Sequence, residues 1–386
     1  MQFPQLVAMD AEGIHALFIL KITTLLCIPR SYIVKLMNLI AEGWDILKVL
    51  VLGGTGVISR EIVEQLSLAN HDVTVFNRGK RGVELPSNVA QLEGDRHDTQ
   101  AFSDMMKGHN FDVVMDMICY NVEDAKTTVN TFRGRAKHLI VCSTVAAYQR
   151  PFRQLPIREE NEELLHHPTF PYGYYKAEME RYLLSSLVPD ELPVTIIRPS
   201  LTYGIGCANV GVLRQNFGIV DRIRKGKSLV MFGDGTTPWN FTFAKDLAKA
   251  FIGSAMNPKT YRKAYHATNS NLHYWEDLYL EFGRVLGIEP NIVHLPTAIL
   301  KAANPELCSH LDDEKKFPSI FDNSNIQNDV PLFRPQITLY DGIKTLVEWY
   351  ERDNHVVDSF KDRLEDQLVE LYRDSIQMIS ATSETP

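Results

Sequence analysis

The stretch from Leu47 to Asn77 constrains the fold of this 386-residue chain more than any other. Leu47 to Leu52 is an almost unbroken apolar run, as a parallel strand buried on both faces requires. Gly53-Gly54-Thr55-Gly56-Val57-Ile58-Ser59 then leads into a helical run ending near Asn70, and Asp72 to Asn77 reads as a second strand. This is a βαβ unit with a phosphate cradle at its first turn. Gly53 permits the tight turn. Gly56 leaves no side chain between the backbone and a dinucleotide's pyrophosphate, which would rest on the positive end of the helix opening at Val57. Thr55, Val57 and Ile58 complete the expected cradle. The third small position holds Ser59 in place of glycine or alanine, which still lets the helix pack close to the strand.

Further strands are expected at 89–95, 111–117, 138–143 and 194–198, with helices at 99–107, 122–132 and 173–187 between them. Such alternation implies an α/β fold, a Rossmann-type doubly wound parallel sheet with its ligand crevice at the strands' carboxyl ends. Beyond Pro199 the rhythm breaks and helices carry Trp275, Tyr279 and Phe282, so a smaller C-terminal substrate lobe is expected. Tyr261 to Thr268 reads as a return to the sheet. The expected organisation is an N-terminal extension at 1–46, a dinucleotide-binding domain at 47–200 that returns near 240–268, a substrate lobe at 201–352, and an amphipathic helix and tail at 353–386. In that last segment Val357, Phe360, Leu364, Leu368 and Leu371 share helical spacing.

The net charge of -8 argues against a broad phosphate-binding face, so no nucleic-acid partner is expected. Five cysteines, odd in number and without short paired spacing, read as buried thiols of a reducing, cytoplasmic compartment. No metal site is expected, and His166 and His167 read as part of a solvated flap. Residues 14–29 are mostly apolar but contain Lys21 and fall short of the ~20 residues needed to span a bilayer. An added helix, an upstream start and a membrane anchor all stay open for residues 1–46, with no stable membrane insertion expected.

The acidic residue that binds an NAD ribose stands at the end of the second strand in this kind of unit. Here Asn77 holds that place, followed by Arg78, Lys80 and Arg81. A carboxylate there would repel a 2'-phosphate, whereas a guanidinium pairs with it, so NADP(H) is expected in preference to NAD(H). Two further pieces complete a site. Ser143-Thr144 with Tyr148 follows the fifth strand, and Tyr172 and Lys176 stand four residues apart on the next helix, sharing one face. A phenol has a pKa near 10, and a nearby ammonium favours its ionised form, bringing it toward proton exchange at working pH. Thr144 can hold the same substrate oxygen.

With these residues in place the chain resembles the extended short-chain dehydrogenase/reductase family, also called the NAD-dependent epimerase/dehydratase family, from Lys48 to about Tyr350. The resemblance covers Gly53 to Ser59, Gly94-Asp95-Arg96, Ser143 to Tyr148, Tyr172 to Lys176, Arg198 to Gly204, Phe232 to Gly235, Lys245-Asp246 and Gly342 to Trp349. It implies that Tyr172 is the proton donor or acceptor, that Lys176 tunes it and binds the ribose, that Thr144 orients the substrate oxygen, and that Asp95 and Arg96 lie beside the adenine. Members often pair subunits through helices flanking the catalytic one, so a homodimer is expected, with a small molecule as substrate.

Departures narrow the chemistry. Sugar 4,6-dehydratases of the family carry an Asp-Glu pair where this chain has Val145-Ala146, which speaks against that elimination. Nucleotide-sugar enzymes commonly place an arginine where Trp239 stands. The ring favours a less charged or aromatic substrate, unless Trp239 is lobe core or Arg214, Arg222 or Arg224 supplies charge. Reduction, oxidation and epimerisation, including nucleotide-sugar epimerisation, stay open. So does a non-catalytic relative, since the glycine loop and Asn-Arg-Gly turn also resemble those of chloroplast stem-loop RNA-binding proteins.

Overall fold

The computed structural model describes residues 46–383 except 81, 186, 189, 208 and 354, so the readings of residues 1–45 and of Arg81 lie outside it. The unit from Leu47 onward begins with β1 (Lys48–Leu52), α1 (Val57–Leu68), β2 (Asp72–Asn77), β3 (Ala90–Glu93), α2 (Thr99–Met106), β4 (Phe111–Asp116), α3 (Val122–Phe132), β5 (Ala136–Cys142), α4 (Pro171–Leu183) and β6 (Val194–Pro199). On β1, Val49 and Val51 join one apolar cluster and Leu50 and Leu52 another, all four fully buried. A strand apolar on both faces needs a layer on each. Ile62, Val63 and Leu66 of α1 supply one; Phe102, Val129, Phe132, Met179 and Leu183 of α2, α3 and α4 supply the other.

Beyond β6 come β7 (Leu201–Tyr203), α5 (Phe217–Arg224), β8 (Ser228–Phe232), β9 (Pro238–Trp239), β10 (Phe241–Phe243), α6 (Ala244–Ser254) and β11 (Lys263–Ala267). The central sheet is parallel throughout, in the order β3-β2-β1-β4-β5-β6-β11. Chain direction across the sheet reverses between β1 and β4, which places the ligand crevice there. β11 is the return strand: Lys263 to Ala267 pair with Thr195 to Pro199.

The rest is β12 (His273–Tyr274), α7 (Asp277–Leu286), β13 (Asn291–Leu295), α8 (Thr297–Ala303), α9 (Pro305–His310), a π-helical turn at Leu311–Lys315, α10 (Ser324–Asp329), α11 (Leu339–Arg352) and α12 (Ser359–Ser383). β7 with β10, β8 with β13 and β9 with β12 make three small ribbons around a core of Trp239, Trp275, Tyr279, Phe282 and Leu346. Trp275 stands just before α7, outside the helix expected to carry it. Asp246, near the start of α6, accepts the amides of Gln336 and Ile337, both at 2.7 Å, and so pins the strand of chain entering α11.

α12 is a helix as expected, and Leu364 and Leu368 of the expected stripe pack on the lobe core, but the rest of the buried face is shifted. Phe360 is 54% exposed and Leu371 65%, whereas Glu365, Leu368 and Val369 are buried. The shift follows from charge. Glu365 accepts the Val230 amide at 2.7 Å and the Gln215 amide at 2.9 Å, and Arg222 of α5 reaches Asp362, Glu365 and Asp366 at 2.6, 3.2 and 2.8 Å. Among the described residues no helix is long and apolar enough to cross a membrane, and no three His, Cys, Asp or Glu are grouped to hold a metal.

Candidate active site

The glycine loop takes the shape its sequence implies. Gly53 and Gly54 sit at φ +108° and +55°, and a Cβ on Gly54 would lie 2.2 Å from Val75 Cγ1. Gly54→Ala combines a left-handed strain of ~1–2 kcal/mol with overpacking of about 1–3 kcal/mol. The expected outcome is a lowered Tm together with weakened dinucleotide binding, read by thermal unfolding and cofactor titration. Ser59 does more than stay small: its Oγ accepts the Gly56 amide at 2.9 Å. The first-turn amides of Val57 and Ile58 stay without hydrogen-bond partners among the described residues, facing the site of an incoming anion.

From this loop a cavity of about 440 Å³ runs over the carboxyl ends of β2 and β3, lined by Gly53, Gly56, Asn77, Arg78, Lys80 and Asp95, among others. Asn77 accepts the Gly79 amide at 2.7 Å, while its own Nδ2 is buried and unsatisfied, a donor turned to no protein partner. A cavity lined by the glycine loop, open helix amides and an orphaned donor fit the adenosine-diphosphate half of a dinucleotide. Asp95 is exposed, and the His97 amide, with the charges of His97, Arg78 and Lys80, holds its carboxyl below the usual range. Arg96 lies at the cavity wall, but its guanidinium is committed elsewhere. It bonds Asp116 at 2.9 and 3.0 Å and Asp124 O and Thr128 Oγ1 at 2.9 Å each, bracing β4 to α3.

At the end of β5 the chain makes a 3-10 turn at Val145–Ala147, capped by Thr144, whose Oγ accepts the Ala146 amide at 3.1 Å. α4 starts at Pro171, two residues before the expected start, because proline suits a first helical position. A Cβ on Gly173 would meet the Ala146 carbonyl at 2.2 Å, so only glycine lets α4 come this close to the turn. The result brings the Tyr172 phenol close enough to Thr144 for the threonine to favour its ionised form.

Lys176 corrects one expectation. Its ammonium is buried and donates to the carbonyls of Cys119 at 2.6 Å and Cys142 at 2.8 Å, 4.8 Å above the Tyr120 ring. The phenol of Tyr172 is not pulled down. Although the side chain is 46% exposed, its hydroxyl end is desolvated, and that burial, with the Cys142 thiol and the Glu314 carboxylate nearby, raises its pKa above the ordinary value. Thr144 beside the phenol opposes the rise without cancelling it.

Behind α4 lies a buried chain of polar groups. Ser143 Oγ donates to Glu180, Arg198 Nε bonds the same carboxylate at 2.9 and 3.1 Å, and Arg198 Nη1 donates to Tyr148 Oη at 2.7 Å. The Tyr148 hydroxyl faces His266 Nδ1 at 3.4 Å, and His266 Nε2 donates to the Asp322 carbonyl. Burial holds His266 neutral, with its pKa lowered to about 4, and that of His138 to about 3. Below pH ~6.5 the unfolded chain takes these protons and the native chain does not, so each histidine withdraws ~1.4 kcal/mol per pH unit as pH falls. Glu365, pushed up to about 7 by burial, acts oppositely down to its unfolded value. The net expectation is stability that falls from pH 6.5 toward 4, measured as urea midpoints across that range.

The sequence reading missed a second charged group beside the site. Arg150 donates to the carbonyls of Val145, Ala146 and Tyr148 at 3.0, 3.3 and 2.9 Å, and lies 3.6 Å from Glu314. Glu314 pairs with Lys315 at 2.9 Å, and Lys315 Nζ lies 4.5 Å over the Trp239 ring. Trp239 is fully buried, settling it as lobe core. Only the unusual π-helical turn marks this group, and no local sequence pattern announces one.

A model of the NAD dependent epimerase/dehydratase family matches residues 49–266, more than half of the chain. The chain belongs to that family. It is an NAD(P)-dependent enzyme of the extended short-chain dehydrogenase/reductase type. It is similar to the 2'-dehydrokanamycin reductase of Streptomyces kanamyceticus, 26% identical over 285 residues that cover 74% of this chain and 79% of that protein. The chloroplast stem-loop binding protein of 41 kDa b of Arabidopsis thaliana is 26% identical over 261 residues, 64% of this chain and 65% of that one. Among solved structures, the dTDP-glucose 4,6-dehydratase of Bacillus anthracis in complex with NAD shares the fold, with a TM-score of 0.64 at 18% identity over 79% of this chain and 97% of that one.

Proposed function

We propose that this chain transfers a hydride between C4 of NADP(H) and a secondary alcohol or ketone carbon of a small molecule, with Tyr172 handling the proton on the oxygen. The observation that carries this reading is the close packing of the first turn of α4, which bears Tyr172, on the turn that follows Thr144, with the Lys176 ammonium buried on the same helix. Bound in the crevice, the dinucleotide supplies or accepts the hydride. Gly53, Thr55 and Gly56 with the amides of Val57 and Ile58 would hold its pyrophosphate, and Asn77 and Arg78 its adenosine ribose. Tyr172, protonated through neutral pH, gives its proton to a substrate oxygen that Thr144 positions; the reverse direction returns it. Reduction is the direction the kanamycin-type reductase supports, and epimerisation is re-reduction of a bound ketone on its other face. Screening ketones for NADPH consumption tests the reading, because epimerisation leaves the cofactor total unchanged and reduction consumes it one for one. A chain that binds NADPH and turns over no ketone or alcohol would sink it.

NADP(H) over NAD(H) is supported by Asn77, Arg78 and Lys80 around the cavity, and opposed by two carboxylates there, Asp95 and Glu93. Arg78→Ala is expected to raise the KM for NADPH roughly tenfold and leave that for NADH in place. A preference for NADH unchanged in that variant overturns the choice. An RNA-binding reading draws support from the stem-loop binding relative; a Tyr172→Phe chain keeping its full biological effect would favour it. A homodimer paired through helices beside α4 is the assembly this reading expects, and sedimentation tests it.

A further inference from the structure

Three polar side chains at the ends of the two outermost strands form a hydrogen-bonded relay in the wall of the cofactor cavity. β3 runs parallel to β2, with Gln91 opposite Val75 and Glu93 opposite Asn77. Side chains alternate along a strand, so Gln91 and Glu93 share a face, and Asn77 stands beside them on β2. Gln91 Nε2 donates to Asn77 Oδ1 and to Glu93 Oε1, each at 3.2 Å. All three side chains line the cavity together with Arg78, Gly79 and Lys80. A Cβ on Gly79 would lie 2.8 Å from Glu93 Oε1, so only glycine lets the Arg78–Lys80 loop settle on that carboxylate.

The chemistry of the three groups fixes the direction of the relay. A carboxylate only accepts, so Glu93 obliges Gln91 to turn its NH2 toward it. That NH2 obliges Asn77 to offer its oxygen, and the Gly79 amide, 2.7 Å from the same oxygen, demands the same. Asn77 Nδ2 is therefore aimed away from both. It is buried there without a hydrogen-bond partner among the described residues, on a side chain only 8% exposed. A buried amide donor left unsatisfied is costly, and an acceptor oxygen on a ligand removes the cost. The position decides which ligand. At the end of the second strand the ribose of NAD(H) gives its 2'-hydroxyl to a carboxylate, whereas a 2'-phosphate presents acceptor oxygens to a donor. Glu93 opposes a 2'-phosphate by its charge and serves it through the relay.

We infer that Gln91 is a specificity-determining residue for the phosphorylated cofactor: by bridging Glu93 and Asn77 it aims the Asn77 amide donor at the 2'-phosphate. This deepens the hydride-transfer reading and rests on its choice of NADP(H). Gln91 is a positioning residue that acts through Asn77 and not on the reacting atoms.

Calorimetric titration of the full chain with adenosine 2',5'-bisphosphate, and separately with AMP, isolates the 2'-phosphate and needs no substrate. The parent is expected to prefer the bisphosphate. Gln91→Met, which keeps the side chain's length and removes its donors, is expected to weaken the bisphosphate about tenfold and to leave AMP within about twofold. Gln91 is exposed on an edge strand, so this variant keeps the core, and a melting curve beside the parent's checks that. In an Asn77→Ala chain, Gln91→Met is expected to change nothing further, because the relay acts through that amide. Equal weakening of both ligands, an unchanged preference in Gln91→Met, or a further loss beyond Asn77→Ala overturns the relay and leaves the NADP(H) choice standing. A parent that binds both ligands alike overturns that choice and the relay together. A chain that binds neither of them, nor NADPH, overturns the hydride-transfer reading on which both rest.

Discussion

Tyr172→Phe is expected to lower turnover by about 10²–10⁴-fold while leaving NADPH binding unchanged, the usual range for removing a positioned acid or base. Phenylalanine keeps the ring that packs against Phe170 at 6.1 Å and loses only the hydroxyl. The dinucleotide cavity does not include Tyr172, which is why binding should survive. Steady-state rates set beside a fluorescence titration of NADPH check both halves. The raised phenol pKa adds a direction: reduction, which needs a protonated donor, should hold its rate through neutral pH, whereas alcohol oxidation should climb as pH rises toward the phenol's ionisation. Thr144→Ala is a poorer probe, because Thr144 also caps the turn through the Ala146 amide.

Arg198→Met is expected to cost about 3–5 kcal/mol of stability, the largest effect of any single change considered, because it strands the fully buried Glu180 carboxylate. Tyr148 loses its charged donor at the same time, and α4 loses its tie to β6. Urea unfolding gives the magnitude. The double variant Arg198→Met with Glu180→Leu is expected to recover much of the loss, since two apolar groups of similar size leave no uncompensated charge. A single variant as stable as the parent would show that the pair adds nothing to the fold.

How much of this was legible in the sequence depends on the range of the interactions involved. The cradle was legible because turn, helix start and strand are local: Gly53, Gly54 and Gly56 state their backbone requirements within four residues. The strand sequence was legible for the same reason, down to the return at Lys263–Ala267. Thr144, Tyr172 and Lys176 were legible as residues, from a strand end and from helical spacing. What Lys176 does with its charge was not, because the carbonyls of Cys119 and Cys142 come from strand ends 57 and 34 residues away. The cluster at Arg150, Glu314 and Lys315 was hidden more thoroughly. The run from Asp312 to Lys316 is charged at every position, three acids and then two lysines, which normally marks a solvated face, and only the fold turns two of its members inward. The same holds for α12, where Leu364 and Leu368 face the core as their spacing suggested but Glu365 is buried beside them and Phe360 and Leu371 are left exposed.

The return of β11 to the sheet governs how this protein can be taken apart. Residues 201–262 leave between two neighbouring strands and come back, so no cut in the chain separates cradle from lobe. A fragment ending at Pro199 would expose β6 as a bare edge carrying Val194, Ile196 and Ile197, and is expected to self-associate rather than fold. Re-engineering its substrate range therefore means exchanging insertions between strands that stay, not transplanting a terminal module.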